Sequence, residues 1–305
     1  MAKSNLLKQF RTFYSKNYPE DMEKCIEYFG VFGGLDVEVD TTKPILQLVE
    51  ELILSNFISL QEHIDLLLDN DKNAQRLLRA FAIGDRRIFS AFNRAGLNNG
   101  NGGAILQTLE QKGIVTLEYS REATPKQKEK IYKHKLPKQE RHRVSHKVLF
   151  TQPFIRFWFY FVTKYINEIR EKNYTNFVKN FQQKYHSYTS LVFEELSEVL
   201  LDYHLRDAQV VSSGSYWDAK VEIDILTITS SGEFFVAECK WTNHIVNKKE
   251  YHKLKEKCQY LKIEPTQIIF FLKRGFSKEL LSMQSKSLAL FSANDFEVLV
   301  KNSNV

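Results

Sequence analysis

The stretch Val221–Trp241, VEIDILTITSSGEFFVAECKW, decides how this chain should fold. It consists of two apolar segments joined by residues 230–232, and a three-residue hairpin loop favours a glycine such as Gly232 at its left-handed position. With that loop, Asp224 on the first strand lies opposite Glu238 on the second. Opposed residues have Cβ atoms ~5 Å apart. Two carboxylates at that separation repel each other unless a positive charge lies between them, and a divalent cation supplies one.

A lysine follows on the same face of the second strand. Lys240 comes two residues after Glu238, whereas Cys239 points to the opposite face, toward the predicted core. Carboxylates bind Mg²⁺, a hard cation that takes oxygen ligands. A bound metal stabilises charge on a phosphate and lowers the pKa of an attacking water. The pattern therefore predicts a Mg²⁺ or Mn²⁺ site suited to phosphodiester hydrolysis.

A simple ion pair is the alternative interpretation. The same register puts Glu222 opposite Lys240, which would account for the lysine but not for the facing acids. A slip of one residue in the turn would put the two acids on opposite faces of the sheet and remove the argument.

A third acid comes from an upstream helix. Residues 190–201, SLVFEELSEVLL, have helical periodicity, and Glu194 lies near the apolar edge, from which it can reach a neighbouring sheet. Glu195 and Glu198 are predicted to be solvated.

The order of elements around the hairpin resembles a known nuclease superfamily. A helix, a strand at 209–213, the hairpin, a basic amphipathic helix at 248–261 and strands at 267–272 and 288–291 follow one another. This order resembles the PD-(D/E)xK superfamily, whose fold is restriction-endonuclease-like, although Ile223 replaces the signature proline. The resemblance implies that a Mg²⁺ or Mn²⁺ ion is bound and a nucleic-acid strand is cut. The metal ligands are then Glu194, Asp224 and Glu238, and these three act in catalysis together with Lys240.

Composition limits the class of protein. The 305 residues carry a formal charge of +6, which permits nucleic-acid binding without requiring it. Three cysteines without metal-ligand spacing suggest a reducing compartment. The polar start is unlike a signal peptide, and the longest apolar run, Phe157–Val162, is far shorter than the ~20 residues of a membrane helix. We expect a cytoplasmic protein without a membrane partner.

Four regions follow one another along the chain. Residues 1–70 are predicted to be helical, with a glycine-broken turn at 28–34. Residues 71–150 are predicted to form a winged helix-turn-helix, 151–185 aromatic connecting helices and 186–305 the nuclease-like domain. The predicted fold class is therefore α+β or α/β. The phosphate-binding pattern G-x-x-x-x-G-K-[ST] is absent, so no ATP site is predicted.

The winged helix-turn-helix suggests a DNA contact. Its third helix, predicted at 104–112 after a loop at 97–103, would enter the major groove, and the wing would touch the backbone. A segment at 126–147 carries nine Lys or Arg residues that could neutralise phosphates. Winged helices also serve as protein-interaction modules. The residues predicted to contact DNA are Gln107, Thr108, Gln111, Lys130, Lys133, Lys135, Lys138, Arg141 and Arg143.

An aromatic segment carries a narrower resemblance. Residues 152–159, QPFIRFWF, open a helix that is apolar on nearly every face, which predicts burial rather than stacking on bases. Together with Phe193-Glu194, Trp217 and Glu238-Cys239-Lys240-Trp241, the segment resembles the C-terminal region of archaeal-type DEXX-box ATPases. In that family a winged helix is followed by a PD-(D/E)xK-like domain of unknown function. The ATPase domain itself is missing here.

Three functional hypotheses follow. The first is a DNA-binding protein with a Mg²⁺-dependent endonuclease site. The second is a DNA-binding module whose nuclease fold has lost catalysis. The third is a protein-protein adaptor, for which both a homodimer and a separate ATPase partner remain open.

Overall fold

The computed structural model describes residues 2–121 and 144–301. The fold is α+β, as predicted, with a helical N-terminal part and a mixed five-stranded sheet in the C-terminal half. Within the described residues, no helix combines the length and the apolar composition needed to cross a bilayer.

The first 70 residues are helical, as predicted. Asp21 caps the second helix by accepting the backbone N–H of Lys24 at 2.7 Å. The glycine-broken turn predicted at 28–34 is confined to Gly33 and Gly34, because the second helix runs through Gly30 as far as Phe32. The helices are α1 (Ala2–Asn17), α2 (Met22–Phe32), α3 (Ile45–Leu48, followed by a π-helical turn at Val49–Leu54) and α4 (Phe57–Leu67).

Three helices and a two-stranded ribbon follow in the order of a winged helix-turn-helix. They are α5 (Lys72–Ile83), α6 (Ile88–Ala95), α7 (Asn99–Gln111) and the antiparallel strands β1 (Val115–Glu118) and β2 (Lys147–Phe150). The loop predicted at 97–103 is mostly helix, because Asn98 caps α7 by accepting the N–H of Asn101 at 2.8 Å. Gly96 ends α6 with a left-handed φ of 66°.

The aromatic segment is buried, as predicted. It forms α8 (Pro153–Phe157), a π-helical turn (Trp158–Val162), a 3₁₀ turn (Thr163–Tyr165) and α9 (Ile166–Arg170). Phe161 is fully buried and its ring packs against those of Phe181 and Tyr188. These rings therefore hold the core together and are closed to nucleic-acid bases.

The C-terminal half is a mixed sheet between helices. The elements are α10 (Thr175–His204), β3 (Val210–Ser212), β4 (Tyr216–Trp217), β5 (Glu222–Ile223), β6 (Ile225–Thr229), β7 (Phe234–Lys240), α11 (Lys248–Leu261), β8 (Gln267–Leu272), α12 (Lys278–Ser282), β9 (Leu288–Ser292), a 3₁₀ turn (Ala293–Phe296) and α13 (Glu297–Lys301). The sheet order is β3-β6-β7-β8-β9, parallel from β7 to β9, and β4 and β5 form a separate antiparallel pair.

The two faces of β7 belong to different cores. Phe235, Ala237 and Cys239 join a large apolar cluster that extends from α1 through the aromatic segment to the sheet. Val236 joins a smaller cluster beneath α11. Because side chains alternate along a strand, Glu238 lies on the α11 side of the sheet.

Candidate active site

The hairpin has the predicted register. Ile225 pairs with Ala237, and the N–H of Thr229 donates to the carbonyl of Glu233 at 3.1 Å. Gly232 has a φ of 81°, the left-handed conformation that the loop requires. Continued by one residue, this register places Asp224 opposite Glu238.

The first strand breaks at Asp224. Its Oδ2 accepts the backbone N–H of Cys239 at 2.8 Å, so the side chain takes the place of a ladder carbonyl. The chain before the break leaves the main sheet, and Glu222 pairs with Trp217 instead. The prediction that Glu222 faces Lys240 is therefore wrong, because β5 belongs to a different sheet.

Glu238 is the most enclosed acid of the site, with 7 % of its surface exposed. Its Oε1 accepts from Lys240 Nζ at 2.6 Å, and its Oε2 accepts from Lys257 Nζ at 2.7 Å. Burial pushes the pKa of Glu238 upward, but the two lysines outweigh it and hold the pKa below its ordinary value.

Lys257 was not predicted from the sequence. It lies on α11, next to Cys258 and three residues after Leu254, both of which are buried under the helix. The sequence offered one indication of this contact, because Lys257 lies at the edge of the apolar stripe of α11. Basic side chains at such edges usually extend into solvent, however, so a contact with Glu238 was not expected.

The charges of the three predicted acids affect one another's pKa values in sequence, from Glu238 to Asp224 and from Asp224 to Glu194. Burial and the charge of Glu238 raise the pKa of Asp224 to about 6. Burial and the charge of Asp224 raise the pKa of Glu194, on α10, to about 8. The charge of Asp224 therefore acts on Glu194, and the role predicted for Glu194 as a metal ligand stays a prediction. Across residues 2–121 and 144–301, however, no group of three or more His, Cys, Asp or Glu side chains is arranged to hold a metal ion.

Two carboxylates are enough for Mg²⁺, which keeps several waters and is often bound by one or two carboxylates plus substrate phosphate. Asp224 and Glu238 fit that requirement in donor type, and the burial and the neighbouring charge that raise the pKa of Asp224 are both conditions that a bound cation would offset. Glu238 would exchange at least one lysine for the metal.

The other acids of α10 are not solvated. Glu195 is partly buried, and burial raises its pKa to about 7. Glu198 is also partly buried and forms an ion pair with Lys3 at 2.7 Å. The prediction is wrong because α10 packs against α1, which the periodicity of one helix cannot reveal.

The predicted DNA contacts are described only in part. Gln107, Thr108 and Gln111 are exposed on α7. Lys147, which ends the basic segment, is only 3 % exposed, forms an ion pair with Glu222 and lies over the ring of Trp217, so it is closed to an outside phosphate. The remaining positions, Lys130, Lys133, Lys135, Lys138, Arg141 and Arg143, lie outside the described residues.

One comparison with known proteins gives a match. Residues 158–254 match DUF234. This family model is described as archaea bacterial proteins of unknown function. The matched stretch contains Glu194, Asp224, Glu238 and Lys240, and it lies within the region that resembles the archaeal-type ATPases. No curated protein and no solved structure matches the chain.

Proposed function

We propose that the chain is a DNA-binding protein with a Mg²⁺-dependent site for phosphodiester hydrolysis. The observation that carries the proposal is that the hairpin brings Asp224 beside Glu238: the paired register ends one residue before them, at Ile225 and Ala237, and the carboxylate of Asp224 accepts the N–H of Cys239 at 2.8 Å. Like charges in that arrangement are destabilising by themselves. A buried acidic pair with perturbed pKa values and adjacent lysines is typical of a functional site.

Each side chain has a distinct role in this proposal. Asp224 and Glu238 hold the cation, which neutralises charge on the phosphate and activates a water when bound. The N–H of Cys239 fixes the carboxylate of Asp224, so the acid is held in place before the substrate arrives. Lys240, once released from Glu238, positions the water or neutralises the phosphate. Glu194 lies beside Asp224 and completes the acidic surface.

The helical part supplies the proposed DNA contact. The exposed polar face of α7 corresponds to the helix that enters the major groove in winged helix-turn-helix proteins. Binding that rests on the basic segment would weaken steeply with salt, because each neutralised phosphate releases counterions.

A plasmid-nicking assay tests the enzyme assignment. We expect nicking that requires Mg²⁺ or Mn²⁺ and is abolished by Lys240→Ala. Lys248→Ala is the matched control, because this lysine lies on α11 and pairs with Glu279 away from the acids. Undiminished nicking by the Lys240 variant would contradict the assignment.

A second candidate function is DNA binding without catalysis. The observation that favours it is that both oxygens of Glu238 are occupied by lysines. Metal binding distinguishes the two functions, because only the first requires Mg²⁺ to bind at Asp224 and Glu238. Retarded DNA in a gel, with no heat of Mg²⁺ binding by calorimetry and no nicking, would select the second.

A further inference from the structure

A polar cleft of about 440 Å³ lies beside the candidate active site. It separates the turn between α5 and α6 from α8, α10 and β5. Glu194 lines both this cleft and the acidic site. The charged residues that line it are four cations and three acids: Arg86, Arg87, Lys147, Arg156, Asp85, Glu194 and Glu222.

Arg156 is the unusual member of this cleft, because only 8 % of its surface is exposed. Its Nη2 donates to the carbonyl of Tyr188 at 3.1 Å, and its guanidinium stacks on the Tyr188 ring at 4.1 Å. Its Nη1 is buried without a hydrogen-bond partner among residues 2–121 and 144–301, although its charge acts on the partly buried Glu195. A buried charge left in this way is costly unless an anion completes it.

Two more guanidinium groups keep donors available. The Nη1 of Arg86 lies 3.9 Å from Glu118, and the Nε of Arg87 lies 3.8 Å from Asp85, distances too long for hydrogen bonds. Within the described part of the chain, both atoms are buried and make no hydrogen bond. Each arginine has an acidic neighbour, Glu118 for Arg86 and Asp85 for Arg87, but these neighbours leave the two donor atoms without a hydrogen bond.

Three arginines with unused donors around one cleft match the geometry of a phosphate. The planar guanidinium fork binds phosphate oxygens in pairs, and it does so most strongly where water is excluded.

We propose that this cleft binds a backbone phosphate of the nucleic-acid strand whose neighbouring phosphodiester lies at Asp224 and Glu238. The proposal deepens the proposed function and rests on it. The cleft lies between the α5–α6 turn on one side and Glu194 of α10 and Glu222 of the β4–β5 pair on the other, so one bound strand would contact the helical part and the C-terminal half. Arg156 would then act as a binding residue that sets the register of the strand.

Binding of a fluorescent DNA duplex, measured by anisotropy in EDTA, tests this proposal without involving cleavage. We expect Arg156→Gln and Arg87→Gln each to weaken binding about tenfold and to lower the salt slope by about one. Arg206→Gln is the matched control, because it removes the same charge. Arg206 is exposed and stacks on Tyr203, and neither residue lines the cleft. Arg87 is partly exposed, so its variant is expected to fold even if the Arg156 variant does not.

Thermal unfolding with inorganic phosphate separates the two sources of the ligand. We expect phosphate to raise the melting temperature of the wild type and of Arg206→Gln, but not of Arg156→Gln. If both cleft variants behave like the control with DNA and with phosphate, the proposal is overturned. If they lose phosphate but retain full DNA binding, the cleft takes a small phosphate compound and the nucleic-acid assignment is wrong. If the wild type binds no DNA, the proposed function fails, and the phosphate measurements alone then show whether the cleft binds phosphate.

Discussion

Replacing Lys257 with methionine is expected to tighten Mg²⁺ binding about tenfold. The Nζ of Lys257 lies 2.7 Å from Oε2 of Glu238, and a charge-assisted hydrogen bond contributes about 1.5–3 kcal/mol. Because the side chain of Lys257 is 29 % exposed, water solvates its ammonium group when the bond breaks and offsets part of this free energy. The net contribution of the bond is then about 1.4 kcal/mol. The metal must displace this bond in the wild type but not in the variant, and 1.4 kcal/mol corresponds to a factor of ten in affinity.

The assay is isothermal titration of MgCl₂ into each variant, with urea unfolding in EDTA to measure stability. In EDTA we expect Lys257→Met to be less stable by about 1 kcal/mol, because Glu238 loses one of its two cations. Lys253→Met is the matched control: it lies one turn earlier on α11, its side chain is 64 % exposed and it pairs with Glu250 instead. The control should match the wild type in both measurements.

Equal Mg²⁺ affinity in the Lys257 and Lys253 variants would refute the reasoning. It would mean that the metal does not compete with Lys257 for Glu238. An absence of Mg²⁺ binding in all three proteins would exclude the metal site altogether.

Three further predictions concern stability. Phe161→Ala should lower the free energy of unfolding by about 3–5 kcal/mol in urea titrations, since it removes a fully buried ring that packs on five other aromatic rings, and a loss below 1 kcal/mol would contradict this packing. Gly232→Ala should cost about 1 kcal/mol, with Gly232→Asn closer to the wild type, because φ is positive and the surrounding space is open; equal melting temperatures for both variants would argue against the strain. Burial raises the pKa of Glu195 to about 7, so the native state binds more protons than the unfolded one and stability should fall as pH rises from about 4.5 to 7; Glu195→Gln should flatten that slope in urea titrations across this range, and an unchanged slope would exclude Glu195 as its source.

The hairpin could be predicted because its determinants are local. Gly232 specifies the loop, the loop specifies the register, and the register sets Asp224 against Glu238. The helix at 248–261 and the strand at 267–272 were also predicted with the observed bounds. The helix has an apolar stripe on one side, and the strand is a continuous apolar run.

The features missed from the sequence depend on contacts distant along the chain. The break at Asp224 exists because its carboxylate accepts the N–H of Cys239, and no pattern in the strand itself requires that. Gly30 reads as a helix breaker, yet it lies inside a helix whose other residues from Tyr28 to Phe32 are buried in the large apolar cluster. Arg156 reads as the polar flank of an aromatic run, whereas packing buries it against Tyr188.

The larger of the two apolar clusters has a consequence for how the matched stretch should be regarded. Residues 158–254 begin inside the aromatic segment and end within α11, and their rings are covered from outside: Trp158 stacks on Phe57, and Phe193 packs against Phe296. A polypeptide limited to that stretch would leave these rings bare and would aggregate rather than fold. The stretch that is recognisable by sequence is thus smaller than the apolar cluster into which it packs, and biochemical dissection of this protein should proceed by point substitution rather than by truncation.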